Sequence, residues 1–231
     1  MMGRIERDQI KKEKLILCEG RDEERFLFAL INDGLSDEPG FADDIQIFDF
    51  GGVNDLSLKL ESYKKMEGFD NVTHLMIIRD AELDVNGAIQ SIQVSLKHNG
   101  FQAPKAPCQW IYDTKNDIYI GFLLFPTCDG SPTTGALEDL CLKILVKQDA
   151  KECVDEVRLL TSRLENIHGK SFRHKLKTQL HAYFAVSDDY VGMKIGEAAN
   201  SKAFDWSSVE LESLKSFVLH MVQDREVWAK S

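Results

Sequence analysis

The sequence predicts an α/β fold, with a largely parallel sheet flanked by helices and an appended C-terminal helical region. Three observations predict it. From Leu15 to about Lys147, short apolar runs alternate with segments of helical periodicity, the pattern of a βα-wound sheet. Two of these runs finish in carboxylates: Leu15-Ile16-Leu17-Cys18 leads into Glu19, and Leu75-Met76-Ile77-Ile78 leads through Arg79 into Asp80-Ala81-Glu82. From Glu152 onward the strand signals fade and only helical periodicity remains. The chain therefore divides into an α/β domain over residues 12–148 and a helical region over residues 149–231 packed on it.

Residues 15–18 read as the first strand and 23–31 as the helix after it, with Phe26, Leu27 and Leu30 at core spacing. Residues 45–50 form a second strand, closed by Gly51-Gly52, and Asn54 caps a helix running to Met66. Residues 75–78 are the central strand. A helix from about Gly87 to His98 follows and stops at Gly100. Residues 118–125 are apolar throughout and read as another buried strand, 126–132 are a loop, and residues 135–140 open the next helix. Beyond it Val154, Val157 and Leu160 mark one helix, and Phe172, Leu176 and Leu180 a second. Leu211, Leu214, Val218 and Met221 line the last. No Ser- or Gly-rich linker separates the two parts.

Composition sets limits. A chain of 231 residues can bury a sizeable core, and 43% hydrophobic with 29% charged residues is ordinary for a globular protein. A net charge of −10 argues against broad, nonspecific coating of nucleic acid. Local contact stays open, because metal-dependent nuclease sites are themselves acidic. The five cysteines are widely spaced without a CxxC pair, and no HxH or HxxxH spacing occurs, so neither a zinc site nor a disulfide framework is expected. There is no Walker-type Gly-Lys-[Ser/Thr], no apolar leader and no apolar window near eighteen residues. The expected compartment is a reducing cytoplasm, with no membrane partner.

The strand-end acids carry the chemical argument. In open α/β sheets ligands bind at the carboxyl ends of the strands. Like charges about 4 Å apart at an effective dielectric near 20 cost roughly 4 kcal/mol per pair. A hard divalent cation with oxygen ligands, Mg²⁺ or Mn²⁺, relieves that cost. Glu19 precedes Gly20, which permits a tight turn, and Glu23 lies near the first helical turn and can point back to the same spot. Asp80 and Glu82 are two apart, which on an extended chain places them on one side. Such paired clusters suit one- or two-metal phosphoryl transfer. The blander reading makes Asp22, Glu23 and Glu24 helix-start acids favoured by the macrodipole, and Glu138 an N-terminal helix acid near a Thr cap.

The ordered set Glu19-Gly20-x-x-Glu23, Asp80-x-Glu82 and Leu137-Glu138-Asp139 resembles the Toprim fold, in the nuclease-like branch of OLD-family proteins and small stand-alone relatives. It most closely resembles the DUF3226 family, where a Glu-Gly-x-Asp-[Asp/Glu] opening, an Asp-x-[Asp/Glu] and a late Leu-Glu-Asp recur in this order. The stretches His181-Ala182-Tyr183-Phe184, Gly196-Glu197-Ala198-Ala199 and Phe204-Asp205-Trp206 are similar to that family's C-terminal part. The resemblance implies a Toprim-like sheet and a Mg²⁺-dependent hydrolase of nuclease type, cleaving phosphodiester bonds or transferring phosphoryl groups on nucleic acid. Glu19, Asp80 and Glu82 would be catalytic, and Glu19, Glu23, Asp80, Glu82 and Glu138 would hold the metal. Glu19 is alternatively the general acid–base. An ATPase partner of OLD type would be a separate chain.

The chain also departs from the pattern. Where many relatives read Pro-Asp-Asn it has Pro126-Thr127-Cys128-Asp129, with Asp129 available as a substitute acid. That change favours a competing reading, a noncatalytic Toprim-like module binding nucleic acid or a partner protein. A receiver- or phosphatase-like domain ranks last, because Asp-x-Glu follows a later strand and no Lys follows residues 118–125. Lys170, Arg173, His174 and Lys177 recur at helical spacing. Lys170, Arg173 and Lys177 are read as a nucleic-acid-binding stripe beside the acidic crest, against the alternative of a solvated face. Arg79 is expected in an ion pair with a neighbouring carboxylate.

Overall fold

The computed structural model describes residues 9–36, 42–52, 55–148 and 150–222. The α/β part runs β1 (Lys14–Cys18), α1 (Arg21–Ala29), β2 (Ile45–Asp49), α2 (Leu56–Lys64), β3 (His74–Asp80), α3 (Val85–His98), β4 (Gln109–Asp113), β5 (Ile118–Phe125) and α4 (Leu137–Lys147). One five-stranded sheet has the order β2-β1-β3-β5-β4. Its pairs are parallel except β4 with β5, which is antiparallel. With eight α-helices among the described residues, the protein is a mixed α/β fold with a mostly parallel sheet.

The central strands read as unbroken apolar runs because both sheet faces are covered. Every residue of β3 and β5 is buried. Side chains alternate between faces. Leu15, Leu17, Leu75, Ile77, Ile120 and Phe122 meet Leu60, Ala88, Ile92 and Leu96 of α2 and α3. Ile16, Cys18, Met76, Ile78, Leu123 and Phe125 meet the opposite layer, which holds Phe26 and Leu27 of α1 and Leu140 and Ile144 of α4.

The helices after residue 150 complete that second layer: α5 (Lys151–His168), α6 (Lys175–Ala185), α7 (Ile195–Asn200) and α8 (Glu212–Leu219). Val154, Leu180, Phe184, Ala198, Leu214 and Val218 belong to the same apolar cluster as Phe26 and Leu140. The α7 helix sits so closely on α1 that a Cβ on Gly196 would lie 2.4 Å from the Arg25 Cβ. Asp22 fastens the contact by accepting from the Gly196 backbone N–H at 3.3 Å. Replacing Gly196 with Ala forces the two helices apart and is expected to cost about 1–3 kcal/mol. Thermal melting of Gly196→Ala checks this, and an unchanged midpoint would mean that α7 is not seated on α1.

The structure differs from the sequence expectation at definable places. The edge strand β4 is unexpected, because Gln109 and Tyr112 are exposed and Trp110 and Ile111 half-buried, so it has no apolar run to announce it. The central strand extends beyond residues 75–78 at both ends, since Arg79 and Asp80 are buried despite their charge. On α5 the inward position falls to Thr161, which accepts from Gln179 Nε2 at 3.0 Å, while Leu160 is 47% exposed. Phe172 lies ahead of α6 rather than on it. Asn54 and residues 223–231 lie outside the described residues.

The strand order positions the site. The chain passes from β1 outward to β2, then returns across β1 to β3, so the winding reverses between β1 and β3. A crevice opens at the carboxyl ends of strands where the order reverses, and ligands of open α/β sheets bind there. No helix among the described residues is long and apolar enough to cross a membrane.

Candidate functional site

The reversal point is where the acids gather. Register pairs Cys18 with Ile78, so Glu19 leaves β1 beside Arg79 and Asp80 at the end of β3. Gly20 is the N-cap of α1, and the Glu23 carboxylate folds back over it: a Cβ on Gly20 would lie 2.9 Å from Glu23 Oε2. Asp80 is 7% exposed, and its Oδ1 accepts from the backbone N–H of Leu137, the first residue of α4, at 3.0 Å. Glu82 and Gly135 exchange two backbone hydrogen bonds of 2.8 Å each. That clasp ties the loop before α4 to the end of β3 and delivers Glu138 to the same crest.

Burial and mutual repulsion raise the proton affinity of these groups. The Asp80 carboxyl is pushed well above the ordinary value by burial first, then by Glu23, Glu19 and Glu138, with the Leu137 N–H opposing. Glu23 is raised to about 7 by burial, against its own backbone N–H, with Glu19, Glu138 and Asp22 adding repulsion. Glu19 is raised by burial, partly offset by Arg79 and by the Asp80 backbone, with Glu82 and Glu138 pushing it up. All five acids of the sequence reading therefore act on this one region. Arg79 is the buried counter-charge. Its Nε lies 3.9 Å from Glu19 Oε2 and donates to the Asp80 carbonyl at 3.2 Å. Its Nη1, and Glu19 Oε2 itself, are buried without a hydrogen-bond partner.

An all-carboxylate oxygen set matches the ligand preference of a hard divalent cation, and Glu19 Oε2, which has Arg79 at 3.9 Å but accepts no hydrogen bond, keeps its lone pairs for a further donor or a cation. Among the described residues no three His, Cys, Asp or Glu side chains are grouped so as to hold a metal ion as they stand. Asp80 is fixed by the Leu137 N–H, and Glu19, Glu23 and Glu138 are the carboxylates whose charge acts on it. The residues fit such an ion in the chemistry of their donor atoms.

Three expectations change. The extended chain that was to align Glu82 with Asp80 is not there: Ala81 is buried and Glu82 takes a left-handed conformation (φ 53°), because the clasp with Gly135 turns the backbone. Glu82 is exposed and reaches the crest through its charge on Glu19. Asp129 does not replace the missing acid. Its Oδ1 accepts from the Ser131 N–H at 2.8 Å, and it lines a separate cavity of about 510 Å³ with Cys108, Cys128 and Trp110. The basic stripe is not one helical face, because Gly169 (φ 65°) ends α5 and α6 begins only at Lys175. Lys170 and Arg173 lie exposed in the connection between them. Lys177 alone of the three is placed at the crest, with Nζ 3.6 Å from Glu138 Oε1.

Next to the crest lies a cleft of about 290 Å³ lined by Arg21, Glu23, Glu138, Lys177 and Lys194. Arg21 and Lys194 escaped sequence reasoning. Arg21 stands within the Gly20–Glu23 motif and was legible there. Lys194 gave no signal, since it approaches only through the docking of α7 on α1.

Fold and site together define an α/β protein with a carboxylate cluster in the crevice of its strand reversal. The family model described as "Protein of unknown function (DUF3226)" matches residues 13–223, and the chain belongs to the DUF3226 family. No curated protein and no solved structure matches it.

Proposed function

We propose that the protein is a Mg²⁺- or Mn²⁺-dependent phosphodiester-cleaving or phosphoryl-transfer enzyme of Toprim/OLD nuclease type, acting on nucleic acid in the cytoplasm. The observation that supports this reading is the convergence of Glu19, Glu23, Asp80 and Glu138 at the strand reversal, with the carboxyls of Glu19, Glu23 and Asp80 made more basic by burial and one another. A bound divalent ion would supply Lewis-acid stabilisation of phosphoryl charge and lower the pKa of an attacking water. The chain's own residues do the rest. Asp80, held by Leu137, would be one ligand to the ion, with Glu19, Glu23 and Glu138 as the others. Glu82 adds charge from the outer side. Glu19, oriented by Arg79 and with raised proton affinity, is equipped to hold or move a proton as general acid–base. Lys177 faces the phosphate side, with Lys170 and Arg173 reaching further backbone contacts.

The test is incubation of the full chain with single- and double-stranded DNA and RNA in Mg²⁺, Mn²⁺ or chelator. Cleavage is expected with metal and none with chelator, and Glu19→Gln is expected to slow it by about 10²–10⁴-fold. The second reading is a noncatalytic Toprim-like module that binds nucleic acid or a partner protein, such as an ATPase on a separate chain. The commitment of Asp129 to the Ser131 turn favours it. Mn²⁺ binding by calorimetry without cleavage of any substrate would select it.

A further inference from the structure

The cleft between the starts of α1 and α7 is lined by cations that are not all engaged with carboxylates. Four of its side chains are cationic, and two are accounted for: Lys177 faces Glu138 at 3.6 Å, and Arg25 faces Glu197 at 3.7 Å. Arg21 and Lys194 are exposed and form no ion pair with any described residue. Of the acids lining the cleft, Glu138 is offset by Lys177, and Asp22 is engaged with the Gly196 N–H. Glu23 folds back over Gly20, at the crest end. Two unpaired cations thus line a cavity that is also lined by Glu23 and Glu138 of the proposed metal site. In a protein of net charge −10 such a pair is a local anion-attracting feature.

Size narrows the occupant. About 290 Å³ lies just below the usual range for small-ligand pockets, roughly 300–1,000 Å³, which leaves room for no more than one nucleotide-sized group. A nucleotide paired and stacked in a duplex cannot enter such a cleft without being flipped out.

We infer that this cleft binds one phosphate-bearing nucleotide of a single strand, with Arg21 and Lys194 on its phosphates, and so selects single-stranded over duplex nucleic acid next to the crest. The inference rests on the reading above for the identity of the polyanion, and it assigns specificity to residues outside the metal set.

Fluorescence anisotropy with a labelled oligothymidylate and a duplex of equal length, in chelator so that nothing is cleaved, tests it. The single strand should bind at least tenfold tighter than the duplex. Arg21→Ala with Lys194→Ala should weaken it tenfold or more and make the salt slope shallower by about 1.4, at 0.7 per lost contact. Both side chains are exposed, so an unchanged melting midpoint will show the double variant folded. Equal binding by wild type and double variant, no preference for single strand, or no binding at all would overturn the inference. Displacement by equimolar thymidine monophosphate would overturn the strand and leave a free nucleotide as occupant. The two readings fail separately: loss of binding in the double variant without any metal-dependent cleavage by wild type sinks the enzyme and leaves the cleft. Undiminished binding and cleavage by the double variant sinks the cleft and leaves the enzyme.

Discussion

Asp80→Asn is expected to lower metal-dependent cleavage on the order of a hundredfold or more and, in chelator, to raise the melting temperature. The two effects have one source. Asp80 is 7% exposed, and burial together with Glu23, Glu19 and Glu138 disfavours its ionised form. An amide at this position removes the charge and keeps an oxygen for the Leu137 N–H, now bonded at 3.0 Å. Without its charge the residue would no longer anchor the proposed divalent cation, so calorimetry should record loss of Mn²⁺ binding. Asp80→Ala separates the contributions. It removes the charge and also the acceptor, leaving the first N–H of α4 buried and unpaired, which costs about 1–3 kcal/mol relative to Asp80→Asn. The expected order of stability in chelator is Asn above Asp, and Ala below Asn by that amount. If Asp80→Asn melts far below wild type, Asp80 is a structural residue whose charge is compensated, and the crest loses its central ligand.

That both acids could be found without coordinates has a physical reason. A strand buried on two faces is a run of apolar residues, so its end is marked by the first carboxylate that follows the run, here Glu19 after Cys18 and Asp80 after Arg79. Glu138 was singled out through the family resemblance alone, because an acid in a first helical turn is favoured by the local dipole whatever else it does. What stayed hidden depends on contacts distant in sequence. The edge strand β4 is recognisable only through its pairing with β5, since its residues are half-exposed. The left-handed turn at Glu82 is imposed by Gly135, more than fifty positions away. The short α7 helix lacks the length for periodicity to show, yet it brings Lys194 to the cleft by resting Gly196 on Arg25. The break at Gly169 that splits the basic stripe was readable in principle, as a glycine after a helical run is a C-cap signal.

The metal-free protein is expected to lose stability as pH rises from about 4.5 to about 7, with Glu23 as a principal source. Its folded carboxyl titrates near 7 against 4.5 when unfolded, because burial, Glu19, Glu138 and Asp22 disfavour its charge. In that window the folded state holds a proton that the unfolded state has released, so stability falls with rising pH. The contribution is fully present below about 4.5 and gone above about 7. Each tenfold in proton affinity is worth about 1.4 kcal/mol, so Glu23 accounts for roughly 3 kcal/mol. Asp80 and Glu19 are raised as well and act with the same sign. Asp113 has the opposite sign but acts outside this window: burial raises it, but bonds from Gln102, Asn116 and Lys115 outweigh that and hold it below 3.8, so its contribution is lost only at lower pH. The readout is therefore the difference between wild type and Glu23→Gln, measured by denaturant unfolding in chelator at several pH values. The variant should gain on wild type by roughly 3 kcal/mol across the window. Saturating Mn²⁺ should reverse the trend for wild type, since the cation binds the ionised carboxylates and, at a hundred times its dissociation constant, stabilises the fold by about 2.7 kcal/mol. That increment should grow as pH rises and shrink in Glu23→Gln. If the variant tracks wild type in chelator at every pH, Glu23 is not part of the coupled cluster, and any remaining slope belongs to Asp80 and Glu19.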